Sequence, residues 1–438
     1  MKQFVWSELT DEEKYSLTVR PTRALGLTIG STVKEIFKSV KNDGDAALVS
    51  LREKFDGIVD SKIILDVKDV IKTTPQLEPP EKAAIKKALS NITNYHRAIK
   101  PLDVSLQISP GVYSQLVWRP LERIGLYIPG GSAPLVSTLL MLLVPARLAG
   151  VEDIIVMTPP RGKSLVDPAI AYVADLCGIS NIYAIGGASA IAAMTYGTKT
   201  VPKVDKVFGP GNAYVNEAKK YARGLPEGPA IDLPAGPSEV LVIADGTANP
   251  KFVALDLLAQ AEHDPLAQVV LVSTSQDLGK AVLAEIKVKK QTLSRLEIID
   301  QALENALMIL VDDLSIAMDV ANLYGPEHLI INTENPDSLV PEIKHAGAVF
   351  LGPWSPEAAG DYATGTNHVL PTGRAVRAYS GLSTTSFMKS ISVQKLSQKG
   401  LLELGPTIEK LADLEGLDGH RSSISVRLDE IKNGGSGV

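Results

Sequence analysis

From about residue 122 the chain changes texture. Short apolar runs alternate with longer stretches whose apolar residues fall at helical spacing. "RIGLYIPGG" is an apolar run stopped by glycines. It is followed by a helical stretch over 135–149, "EDIIVMTPP", a helix near 168–177, "NIYAIGG", another helix and "KVDKVFGPGN". After 236 the alternation resumes. "SEVLVIAD" precedes the helix that ends in "LDLLAQAEHDPLAQ", and "AQVVLVST", "ALMILVDD", "EHLIIN" and "GAVFLG" follow with helical segments between them. Short apolar strands between helices of ten or more residues point to mostly parallel sheets covered on both faces.

The expected fold class is therefore α/β. It consists of two Rossmann-like parallel-sheet domains, an N-terminal arm and a small, mostly helical C-terminal segment. Residues 1–25 read as the arm. Residues 26–126 with 236–382 form a first, discontinuous domain, 127–235 a second, and 383–438 the C-terminal segment. "STVKEIFKSVKNDGDAALVSLREKFDG" and "PPEKAAIKKALSNITNYHRAI" are expected helices with start signals at Ser31 and Pro80. "SSISVRL" reads as strand-like, and "NGGSGV" as a flexible end.

Composition narrows the class. A chain of 438 residues is too long for one simple core. Its 45% apolar and 21% charged residues fit a soluble globular protein. The net charge of -6 gives no electrostatic case for nucleic acid or an anionic membrane. A single cysteine, Cys177, excludes both a disulfide within one chain and a thiolate metal cluster. "MKQFVWSELTDEEK" lacks the layout of a signal peptide, and "LVSTLLMLLV" is too short to span a bilayer. A cytoplasmic protein is expected.

Three glycine-rich turns, "YIPGGSAP", "AIGGASA" and "VFGPGNAY", each follow an apolar run and precede a helix. Their backbone N–H groups could face a phosphate or carboxylate, although none is a full dinucleotide fingerprint. Gln260 and His263 are three apart and share a helix face, either as a solvated helix end or as half of a metal site. Glu262 is turned about 100° away and reads as a bystander. Glu327 and His328 in "YGPEHLII" are two proton-exchanging groups at the mouth of an apolar strand, or simply a polar strand entrance. Asp361, Tyr362 and His368 share a glycine-rich loop, and Glu415 and His420 a helix end. His96 and His345 lie on amphipathic helices as surface or boundary residues.

Together these clusters resemble the histidinol dehydrogenases, the enzymes of the last two steps of histidine synthesis. "GLYIPGGSAPL", "FGPGNAYV", "DLPAGPSEVLVIAD", "LLAQAEHD", "YGPEHLII", "AGAVFLG", "GDYATGTNHVLPT" and "EGLDGHR" run in family order over most of 120–427. The resemblance implies a homodimer with one Zn2+ per subunit and an active site shared between chains. It implies the four-electron, NAD-dependent oxidation of L-histidinol to L-histidine through L-histidinaldehyde. The family's zinc ligands fall on Gln260, His263, Asp361 and His420. Its catalytic pair falls on Glu327 and His328. Its substrate contacts fall on Ser238, His328, His368, Glu415 and the metal-binding positions, and its NAD contacts on Tyr127, Ser189 and Asn212. Ser189 stands where the family pattern has glutamine, a shorter side chain with one hydroxyl in place of an amide. On this reading His328 is the base for alcohol oxidation and Glu327 activates water for aldehyde oxidation. A paralogous zinc and NAD dehydrogenase of another small alcohol, such as a hydroxysulfonate, is the main alternative. A zinc hydrolase and a non-catalytic scaffold are weaker ones.

Overall fold

The structure is a computed structural model that describes residues 1–20, 26–59, 62–130, 135–161, 165–234 and 236–434, with Gly26 and Leu27 described in backbone only. The chain divides into two compact units, residues 1–99 with 121–387, and residues 100–120 with 388–438.

The larger unit holds two six-stranded sheets. In the first, β1 (Lys2–Val5), β12 (Leu307–Leu310), β11 (Gln268–Ser273), β10 (Glu239–Ala244), β13 (His328–Asn332) and β14 (Ala348–Leu351) lie side by side in that order. All their pairings are parallel. β10 shows why its sequence is apolar after Glu239. Val240, Val242 and Ala244 pack with Val253, Ala254, Leu257 and Leu258 of helix Pro250–Ala261 on one face. Leu241 and Ile243 pack with Ala317, Met318 and Ala321 of helix Leu314–Tyr324 on the other. Side chains alternate with period two, so a strand covered on both faces has no polar positions to spare.

The second sheet runs β2 (Ile64–Asp66), β7 (Asn181–Tyr183), β6 (Asp153–Met157), β5 (Arg123–Tyr127), β8 (Lys206–Phe208) and β9 (Ala230–Ile231). β2 is its one antiparallel strand. Of residues 26–126, grouped from sequence with the first sheet, helix Gly26–Asp43 and β2 go with this one, and 100–120 fall in the smaller unit. Helix Gly26–Asp43 sets Val33, Phe37 and Val40 into the core beside Tyr127, Met157, Ile191 and Val215. That i, i+4, i+7 stripe needs an apolar sheet face, and β2 adds to β7 at the adjacent edge. His96, expected at a surface or boundary, is 0% exposed. It lies one turn beyond the buried Ile92 on helix Pro79–Ala98.

The smaller unit pairs β3 (Val104–Ser109), β4 (Val112–Pro120) and β15 (Met388–Leu396) antiparallel. Helices Gln398–Glu415 and Asp418–Lys432 pack on each other within it. The strand-like "SSISVRL" is therefore helical. Ile424, Leu428 and Ile431 turn to one face at helical spacing, and that stripe overrides the β-branched composition. No described helix is long and apolar enough to cross a membrane.

Candidate active site

His328 opens β13, and Ser238 immediately precedes β10 beside it. Open parallel sheets usually bind ligands at the carboxyl ends of their strands. Here the polar cluster gathers at the amino ends of β10 and β13. It is completed by the C-terminal end of helix Pro250–Ala261, which runs back against the strands and carries Gln260 and His263 at its end. These residues line a cavity of about 180 Å³ together with Glu357, Asp361 and His368. Gly209 and Pro210, from the turn after β8, close another side. A helix C-terminus favours positive charge, so the wall that carries Gln260 and His263 is suited to a cation.

The backbone of Glu239 orders the pair Glu327 and His328. Its N–H donates to Glu327 Oε2 at 2.9 Å, and its carbonyl lies 3.1 Å from His328 Nδ1. A carbonyl only accepts, so Nδ1 carries the proton and Nε2 the lone pair. His328 Nε2 is buried with no hydrogen-bond partner among the described residues, and lies 3.7 Å from Asp361 Oδ1. Burial pushes the His328 imidazole down to about 4, against the opposing pull of Asp361. The ring is therefore neutral at neutral pH. Burial pushes the Glu327 carboxyl well above the usual carboxylate range. The Glu239 side chain is itself held by Arg20, at 2.9 and 2.8 Å, and by the Gly373 N–H at 2.8 Å.

The ligand atoms of His263, Glu357 and Asp361 all lie within 4.8 Å of one another. Glu357 and Asp361 are four apart on the short helix Glu357–Tyr362, which turns both carboxylates to one side. Gln260 is fully buried against Glu357. Sequence reasoning missed Glu357, whose only signal was that i, i+4 spacing to Asp361. His368 Nδ1 donates to the Asp361 carbonyl at 2.8 Å, which leaves its Nε2 to accept from Thr138 Oγ1 at 3.2 Å. Glu262 is the residue capping the helix end and is absent from the cavity lining. Glu415 and His420 lie in the smaller unit. They are exposed, at the end of one helix and in the first turn of the next.

Tyr127, Ser189 and Asn212 line a second cavity of about 450 Å³. It sits at the carboxyl ends of β5 and β8. The strand order reverses there, with β6 on one side of β5 and β8 on the other. Helix Gly187–Tyr196 starts in its wall with no side-chain cap, and Gly187 N–H donates to the Tyr127 hydroxyl at 3.0 Å. Asn212 Oδ1 caps the next helix, accepting from Tyr214 and Val215 N–H, which leaves the amide nitrogen as the group it can offer. The turn after β8 borders both cavities through Gly209 and Asn212. Gly209 has φ +118° there, and a Cβ would run into the Tyr127 carbonyl. The buried ion pair Lys219–Asp232 braces this turn, Lys219 Nζ donating to the Gly209 carbonyl at 3.0 Å and Asp232 accepting from its N–H at 2.7 Å. The second half of the turn "YIPGGSAP", residues 131–134, lies outside the described residues. Burial pushes the Cys177 thiol up to about 11, which leaves it a poor nucleophile.

Comparison with known proteins agrees across the chain. The family described as histidinol dehydrogenase matches residues 21–428. A histidinol dehydrogenase of Vibrio parahaemolyticus is 47% identical over 431 residues, 98% of this chain and 99% of that protein. One from Campylobacter jejuni is 45% identical over 99% of this chain and 100% of that protein. The crystal structure of histidinol dehydrogenase from Elizabethkingia anophelis superposes with a TM-score of 0.93 at 43% identity, covering 99% of both chains. This chain belongs to the histidinol dehydrogenase family.

Proposed function

We propose that this chain oxidises L-histidinol to L-histidine through L-histidinaldehyde in two NAD-dependent steps, as a zinc-dependent homodimer. One observation carries the reading. A neutral, buried His328 presents an unpartnered Nε2 into a cavity where imidazole, carboxylate and amide side chains converge.

The donor set fits zinc. Nitrogen and oxygen donors meet at the negative end of a helix, and no thiol competes. Gln260, His263 and Asp361 would hold the ion, with His420 supplied by the second subunit. Zinc, when bound, would anchor and orient the substrate's nitrogen atoms. Ser238, His368 and Glu415 would complete the substrate contacts. Tyr127, Ser189 and Asn212 would hold NAD in the larger cavity, beside the second sheet, where it would supply the hydride acceptor.

The chain's own residues then move the protons. His328 Nε2 receives the hydroxyl proton in the first oxidation. Its Nδ1–H stays bonded to the Glu239 carbonyl, so the ring does not turn as it charges. Glu327, a carboxylate made more basic by burial, takes a proton from the water that adds to the aldehyde.

The two roles separate by experiment. His328→Asn should slow the first hydride transfer by about 10²–10⁴-fold. Glu327→Gln should yield one reduced cofactor per histidinol and stall. A Glu327→Gln enzyme that delivers both hydrides at the wild-type rate would remove Glu327 from the mechanism.

A further inference from the structure

The geometry points to Glu357 as a positioning residue that fixes which end of the Gln260 amide faces the cavity. We infer that its carboxylate captures the Gln260 nitrogen and so turns the Gln260 oxygen toward His263 and Asp361. The inference rests on the metal reading above.

A glutamine amide is ambiguous as a ligand, because only its oxygen can coordinate a cation and rotation by half a turn presents NH₂ instead. Gln260 is 0% exposed, so water cannot select between the two orientations. Glu357 is 2% exposed and faces it directly. With nitrogen toward Glu357, Gln260 donates to Oε1 at 2.6 Å and Oε2 at 3.2 Å. With Glu357 ionised, the opposite orientation sets the amide oxygen against carboxylate oxygens with no proton between them, which in a buried site is repulsive. Glu357 therefore selects the amide orientation, and the selected one leaves Gln260 Oε1 for the cavity that both side chains line.

Two features make this a dedicated arrangement. Gln260 sits in the last turn of helix Pro250–Ala261, where His263 follows three residues on, so amide and imidazole project together. Glu357 shares a helix face with Asp361 in the same way. The two helix ends thus supply three ligand candidates, Gln260, His263 and Asp361, and one orienting group, Glu357. Outer contacts of this kind typically change metal affinity by about 10–100-fold when removed.

The test measures zinc affinity by chelator competition on the full-length protein, and the visible absorption of the cobalt-substituted protein, with no substrate or NAD present. Glu357→Leu, similar in size without an acceptor, should bind zinc about 10–100-fold more weakly and alter the cobalt spectrum. Glu357→Gln keeps one acceptor oxygen and should stay within a few-fold of wild type. In a Gln260→Ala background, Glu357→Leu should add no further loss, since the group it orients is gone. Thermal unfolding of each metal-free variant verifies that it is folded. If Leu leaves affinity unchanged, or if its effect is additive with Gln260→Ala, Glu357 does not act through Gln260. If Gln loses as much as Leu, charge or direct ligation matters and amide orientation does not. A wild-type protein that binds no zinc would overturn the metal reading itself, which is a different result from any of these.

Discussion

The Nδ1 of His328 lies 3.1 Å from the carbonyl oxygen of Glu239, and this contact decides which ring nitrogen is basic. The same residue's N–H holds Glu327, so the backbone of one residue on β10 orders both proposed proton carriers. The position of Glu239 depends on a residue far away in sequence. Arg20 clamps the Glu239 carboxylate with two hydrogen bonds and stacks 3.6 Å from the Tyr324 ring centre. Removing one partner of a buried pair leaves an uncompensated charge. Arg20→Met should cost about 3–5 kcal/mol in urea unfolding, and kcat should fall because Glu239 relaxes. A variant with wild-type stability and rate would disconnect the arm from the site.

His96 supplies a pH-dependent test of packing. Its imidazole is buried beside Asn367, the neighbour of His368, and burial pushes it down to about 4 from an ordinary 6.5. Between those values the unfolded chain carries the proton and the folded chain does not, so stability falls as pH drops from about 6.5 to about 4. The full difference is about 3 kcal/mol. His96→Met should remove that component from the acid slope of the urea midpoint. Identical slopes in the two proteins would show that His96 is not its source.

Ser189 is buried in the wall of the larger cavity, in the first turn of helix Gly187–Tyr196. Its hydroxyl is shorter than the amide of the family pattern. Ser189→Gln should lower KM for NAD by about fivefold, the worth of one added hydrogen bond of about 1 kcal/mol. An unchanged or higher KM would mean that position 189 does not touch the cofactor.

Most of the first sheet was legible because strands such as β10 are apolar on both faces. The smaller unit was not. β3 and β15 are largely exposed in this chain, so "VSLQIS" and "MKSISVQKL" carry no buried stripe to mark them as strands. Gln260 and His263 could be paired from helical spacing alone, whereas their meeting with Asp361 is made by the fold and reached from sequence only through resemblance. Glu357 fell in "SPEAAGD", where nothing local distinguishes a buried carboxylate from a solvated one.

The proposed sharing of the site between subunits predicts complementation. His420→Asn and Glu327→Gln homodimers should each lack complete turnover. Co-refolded as a mixture, they should recover about a quarter of wild-type activity, because half the dimers are mixed and each of those has one intact site. No recovery, with mixed dimers verified by mass, would place His420 in its own chain's site.

The most direct test of the whole account is the count of reduced nicotinamide formed from limiting L-histidinol. Two per histidinol are expected, lost on chelation and restored by zinc. No reduced nicotinamide from histidinol, with turnover of another small alcohol, would contradict it and assign this site to a different substrate.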